Sequence, residues 1–133
     1  MRVNVNVRPA CLQDGVSVMS LLEQVGFYPE PISFAQTYRK TLQSPSFLVR
    51  VAEVGGEVVG IASLSLRYQL GVGGLVASLD ELAISDGPLS ARVERKLRKA
   101  TVGRARSLGA RRVVTRANEG TPPPRAAQLQ KTA

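Results

Sequence analysis

The stretch FLVRVAEVGGEVVGIASLSLRY, residues 47–68, decides how the chain folds. Phe47 to Val54 is dense in β-branched and aromatic residues, and Gly55-Gly56 is a hairpin turn. Val58 to Tyr68 then alternates Val, Ile and Leu with small or polar side chains. Two antiparallel strands follow. Beyond them, Gly71-Val72-Gly73-Gly74 is a flexible connection and Leu75 to Ile84 a third strand, which completes a meander. Asp86-Gly87-Pro88 breaks that strand. Ser90 to Leu108 reads as one helix closed by Gly109, with Val93, Leu97, Ala100 and Leu108 on its apolar face. Arg111 to Ala117 reads as a short strand, so strand, crossover helix and strand form a right-handed parallel unit.

Toward the N-terminus, Ser44-Pro45 stops a helix that carries Phe34, Tyr38 and Leu42, for which Ser33 is the expected N-cap. Pro29 and Pro31 hold the preceding segment in a loop. An earlier helix begins at Leu12, places Val16, Met19, Leu22 and Val25 at threefold spacing, has Asp14 near its start and ends at Gly26. Val3, Val5 and Val7 alternate with polar residues, which predicts a first strand over 2–8 ended by Pro9. The order is β-α-α-β-β-β-α-β, an α/β (α+β) mixed sheet in a single domain over 1–119. A tail over 120–133 carries Pro122, Pro123 and Pro124 and a weakly helical Arg125 to Lys131.

Composition removes several kinds of chemistry. A chain of 133 residues supplies one core. It has no His, which excludes a Ser-His-Asp triad, a Cys-His pair and histidine metal sites. Cys11 stands alone, so no internal disulfide or cysteine pair for zinc exists. The alternating start is unlike a signal peptide, and no apolar run reaches membrane-spanning length. A cytoplasmic setting without membrane contact is therefore expected. The formal net charge is +8, and Arg92, Arg95, Lys96, Arg98, Lys99, Arg104 and Arg106 crowd the last helix. That helix reads as a solvated face over an apolar stripe. Nucleic-acid binding is the weaker reading of it, because no aromatic residue follows Tyr68 to stack on bases.

The element order, together with Val7-Arg8-Pro9-Ala10, Val54-Gly55-Gly56-Glu57-Val58-Val59-Gly60, Glu81-Leu82-Ala83-Ile84 before a helix, and Ser107-Leu108-Gly109-Ala110-Arg111-Arg112-Val113 after it, resembles the GNAT superfamily of acetyl-CoA-dependent N-acetyltransferases. The resemblance covers nearly the whole chain. It implies a fourth strand that splays from the fifth, with the pantetheine arm of acetyl-CoA on backbone at Leu82, Ala83 and Ile84. It implies a general base at Glu81 and an amine acceptor gripped by the loop bearing Tyr28 and Glu30. No metal is implied.

Three features depart from the family pattern. The pyrophosphate loop, of form Arg/Gln-x-x-Gly-x-Gly/Ala, would have its signature positions at Leu89, Arg92 and Glu94. Arg92, Arg95 and Lys96, around the apolar Val93, could offer side-chain cations in place of glycine-exposed amides. The tyrosine that protonates the departing thiolate would fall at Gln130, after Ala126 and Leu129. The two closing strands have no counterpart, which leaves Val113 to Thr115 as an open edge and predicts a homo-oligomer through it, or its coverage by the proline-bearing tail.

The residues themselves leave blander readings open. Glu81 could be an exposed or Arg-paired strand residue, Asp80 is expected on the opposite face of the strand, and Cys11 is expected to be inert. Three functions stand: an N-acetyltransferase of weak or no activity, a non-catalytic binding scaffold of the same fold, and a basic nucleic-acid-associated module.

Overall fold

A computed structural model describes residues 3–119, and in it the alternation of Phe47 to Tyr68 becomes the middle of a five-stranded sheet. The elements are β1 (Asn6–Pro9), a 3-10 turn (Leu12–Asp14), α1 (Gly15–Gln24), α2 (Pro31–Gln43), β2 (Phe47–Val54), β3 (Glu57–Gln69), β4 (Gly74–Ile84), α3 (Ser90–Ser107) and β5 (Arg112–Thr115). The strands lie in chain order, with β1 to β4 antiparallel and β5 parallel to β4. The mixed sheet, its element order and the parallel β4–β5 pair agree with the sequence reading.

Alternation along the strands sorts side chains to two cores. Ala62, Leu64, Leu79 and Leu82 meet Val93, Leu97 and Ala105 of α3 on one face. Val49, Val51, Ile61 and Ala83 meet Val18, Leu21 and Tyr38 of α1 and α2 on the other. Gly60 sets how close α3 lies to the sheet, because a Cβ there would sit 3.0 Å from Ile84 Cδ1 and 3.1 Å from Val93 Cγ1.

Local boundaries differ from the sequence reading for identifiable reasons. β1 begins at Asn6, not residue 2, and the carbonyl of the buried Val5 accepts a hydrogen bond from Lys96 Nζ instead of joining the ladder. Pro9 is tolerated as the last paired residue because β1 is an edge strand. The first helix opens at Gly15 after a 3-10 turn, since Asp14 turns its carboxylate back to the Cys11 amide at 2.8 Å. Ser33 is not the cap of α2. Glu30 is, accepting from the Ile32 and Ser33 amides at 3.0 and 2.8 Å, with Pro31 in the first turn where no amide is required.

The apolar stripe of α3 also differs. Val93, Leu97, Thr101 and Ala105 are buried at four-residue spacing, while Ala100 and Leu108 are exposed. Thr101 is admitted because its Oγ1 donates to the Leu97 carbonyl at 2.7 Å. β5 pairs over Arg112–Thr115, inside the expected 111–117. The expected tail helix and the positions Ala126, Leu129 and Gln130 lie outside the described residues. No helix among the described residues is long and apolar enough to cross a membrane.

Candidate active site

β4 is irregular where the candidate site begins. Ser63 pairs with Glu81 and Leu64 with Leu79, so Asp80 is the extra residue of a β-bulge. The bulge resets the alternation, because Leu79 and Leu82, three residues apart, both pack on the α3 side. Glu81 and Ala83 consequently face α1 and α2. Asp80 does not point away from Glu81 as alternation predicts. Its Oδ1 accepts from Ser78 Oγ at 2.8 Å, on the face opposite Leu79, and its charge is one of the influences that raise the Glu81 pKa.

Glu81 lines a cleft of about 410 Å³ between the sheet and the α1–α2 segment. The apolar lining comes from Leu22, Phe27, Pro29, Phe34, Val49 and Ile61, and Tyr28 closes one side with its ring 73% exposed. Phe34 and Tyr38 stack at 5.5 Å between ring centroids. Burial pushes the Glu81 carboxyl above its ordinary value, partly offset by the Ser63 hydroxyl, which donates to Oε1, and reinforced by Asp80. Glu81 is not paired with an arginine in any ion pair of the described residues. A half-buried carboxylate with a raised pKa, facing an apolar cleft, can take a proton from a bound cation.

The structure brings Tyr28 and Glu81 to one cleft. Glu30 is on the same loop, but its carboxylate is committed to the α2 terminus, where the Ile32 amide, the Ser33 amide and the Ser33 hydroxyl all hold it below the usual carboxylate range.

On the other side of Glu81 the sheet opens. Ladder pairing between β4 and β5 ends at Leu79 and Thr115, the Arg116 and Asn118 amides still donate to the Leu79 and Asp80 carbonyls at 2.9 and 2.8 Å, and β4 continues beyond them to Ile84. Across the opening, Asn118 Oδ1 accepts from the Leu82 amide at 3.1 Å, and Asn118 Nδ2 donates to the Leu82 carbonyl at 3.0 Å. Asn118 adopts φ 64°, a left-handed conformation that Asn tolerates better than most residues. Nothing in the sequence reading singled it out.

Ser85 donates its amide to the Val59 carbonyl at 2.9 Å, so the antiparallel alternation turns Ala83 toward β3 and Leu82 and Ile84 toward the opening. Ile84 thus offers its main chain to the gap. Arg92 and Arg95 are exposed on the first two turns of α3, while Val93 is core, with its amide bonded to the Leu89 carbonyl at 2.9 Å. Glu94 pairs with Arg98 at 3.2 Å, so its carboxylate is held along the helix and not over its start.

No protein-family model matches the chain, and no curated protein matches it in sequence. Solved structures do match in shape. A transcriptional regulator from Bacillus halodurans C-125 superposes with a TM-score of 0.76 at 17% identity, covering 97% of this chain and 91% of that one. An aminoglycoside N-acetyltransferase in complex with CoA gives 0.75 at 17% identity, covering 99% and 86%. Glucosamine-6-phosphate N-acetyltransferase from Arabidopsis thaliana gives 0.74 at 13%, covering 84% and 81%.

The chain has the GNAT fold. In this GNAT fold the carboxylate cleft and the opening between β4 and β5 are served by one strand, Glu81 lining the cleft and the Ile84 main chain turned to the opening. Among the described residues no group of His, Cys, Asp or Glu could hold a metal ion.

Proposed function

We propose that the protein transfers an acetyl group from acetyl-CoA to an amine bound in the α1–α2 cleft. The observation that carries this reading is Glu81, which faces an apolar cleft from the same strand whose Ile84 main chain is turned to the β4–β5 opening. Acetyl-CoA would supply the acyl group as a thioester. The Ile84 main chain, beside the Leu82 groups that Asn118 holds, would receive its amide-bearing arm, and the Ala91 and Arg92 amides of α3 with the Arg92 and Arg95 side chains would face its phosphates. Neither Ala83, turned to β3, nor Val93, packed in the core, has a polar group directed there.

Glu81 accepts the proton of the ammonium, which must be lost before the nitrogen lone pair can attack. Ser63 keeps the carboxylate aimed, because its hydroxyl donates to Oε1 while the Glu81 amide donates to Ser63 Oγ at 3.2 Å. Tyr28 forms the exposed wall against which the acceptor rests. A second copy of the chain would cover the β5 edge at Val113 to Thr115, which among the described residues has a neighbour only on its β4 side.

One observation favours the non-catalytic scaffold instead, namely that α3 opens at Leu89-Ser90 without glycine in its first turn. Calorimetric titration with acetyl-CoA separates the two. Micromolar binding weakened by Arg92→Glu supports the enzyme, and absence of heat at millimolar cofactor supports the scaffold.

A further inference from the structure

The chemistry of the cleft lining restricts what kind of amine it can take. The chain carries a net charge of +8, yet among the described residues no Lys or Arg lines this cleft. A phosphate or carboxylate on the acceptor would find no cation there. Glu81 is the only carboxylate that the described residues bring to the lining, so a polyamine or polycationic sugar would leave its further charges unpaired against Phe and Leu side chains.

Hydroxyl donors are equally scarce. Of the five hydroxyls that the described residues bring to the lining, three are engaged: Tyr38 Oη donates to the Cys11 carbonyl at 2.6 Å, Thr41 Oγ1 to the Thr37 carbonyl at 2.8 Å, and Ser63 to Glu81. Burial raises the Tyr38 phenol well above its ordinary pKa, so it stays a committed neutral donor. A sugar needs many such partners, and here the hydroxyls of Tyr28 and Thr37 are the two left to it among the described residues. Aromatic faces at Phe27, Tyr28, Phe34 and Tyr38 instead suit an apolar body and attract a single ammonium. The volume of about 410 Å³ lies at the small end of ligand cavities, which run to roughly 1,000 Å³.

We infer that the acceptor is a compact primary monoamine with an aromatic or branched apolar body, its nitrogen at Glu81 and its body against Tyr28 and Phe34. This rests on the acyl-transfer reading for its chemistry but not for its binding. The test is therefore run twice on the full chain, once by amide chemical-shift titration without acetyl-CoA and once as thiol release with it. The probes are phenethylamine, glucosamine 6-phosphate and spermidine. Phenethylamine should shift Tyr28, Phe34, Ser63 and Glu81 and saturate at a concentration at least tenfold lower than the other two, and Tyr28→Ala should weaken it about fivefold.

Equal or tighter cleft binding of the sugar phosphate or spermidine overturns the inference, as does a phenethylamine footprint elsewhere or no footprint at all. Cleft binding of phenethylamine without thiol release from any amine supports the ligand class and removes the transferase reading. Thiol release favouring the sugar phosphate does the reverse.

Discussion

Asn118 closes both main-chain polar groups of Leu82 with one side-chain amide, at 3.1 and 3.0 Å, at the point where β5 stops following β4. A side chain thus does for one residue what a strand would do for several. The opening therefore starts at Ile84 and not at Leu82.

Asn118→Ala should leave the Leu82 amide and carbonyl without protein partners at a position where the residue is only 7% exposed. The expected loss is about 1–3 kcal/mol in urea denaturation. Hydrogen exchange at Leu82 should accelerate relative to Leu79, whose pairing with Thr115 is independent of the substitution. Unchanged exchange at Leu82 would show that the amide is held by something else.

Glu81→Gln should lower turnover by about 10²–10⁴-fold, the range for loss of a general base. The wild-type rate should rise with pH through a value above the ordinary 4.5, because burial lifts the folded-state pKa. Stability runs the other way. A raised carboxyl favours folding while protonated, fully so below 4.5, and that contribution is lost as pH rises through the folded value. Glu81→Gln should therefore raise Tm at neutral pH and have little effect below pH 4.5.

Acid stability should depend on Arg8. Its guanidinium bonds Asp14 at 2.7 and 2.9 Å and Glu53 at 3.2 Å, joining β1, β2 and the turn before α1. The Arg8 hydrogen bond holds the Asp14 carboxyl at about 2, from an ordinary 3.8. A lowered acid stabilises the fold above its unfolded pKa and ceases to do so as pH falls through the folded value. Asp14→Asn should cost about 2 kcal/mol at pH 7, and the difference from wild type should shrink between 3.8 and about 2. A gap that persists unchanged at pH 2 would assign the effect to packing.

Gly60→Val should push α3 from the sheet, since even a Cβ falls within 3.3 Å of Leu97 Cδ2 as well as close to Ile84 and Val93. Overpacking of this kind costs about 1–3 kcal/mol, read as a drop in Tm of several degrees. A neutral result would mean that α3 shifts freely.

The order of elements was legible because alternation in Phe47–Tyr68 and the breaks at Gly55-Gly56 and Asp86-Gly87-Pro88 are local signals. Cleft membership was legible for Tyr28 and Glu81. The bulge at Asp80 was not, since it is defined by pairing with Ser63 and Leu64, which single-strand alternation does not encode. Glu30 outcompeted Ser33 as the cap because a carboxylate accepts two amides at once and Pro31 needs none. Thr101 was missed by a hydrophobicity reading that ignores a hydroxyl satisfied within its own helix. Asn118 acts across 36 residues of sequence, and no period or cap rule points to it.

Acetyl-CoA-dependent thiol release by the full chain, with phenethylamine as acceptor and compared with Glu81→Gln, decides whether Glu81 serves acyl transfer. Release should require both substrates, rise with pH above 4.5 and fall at least a hundredfold in the variant. Release of equal rate in the variant, or none from the wild type at millimolar concentrations of both substrates, would contradict that role.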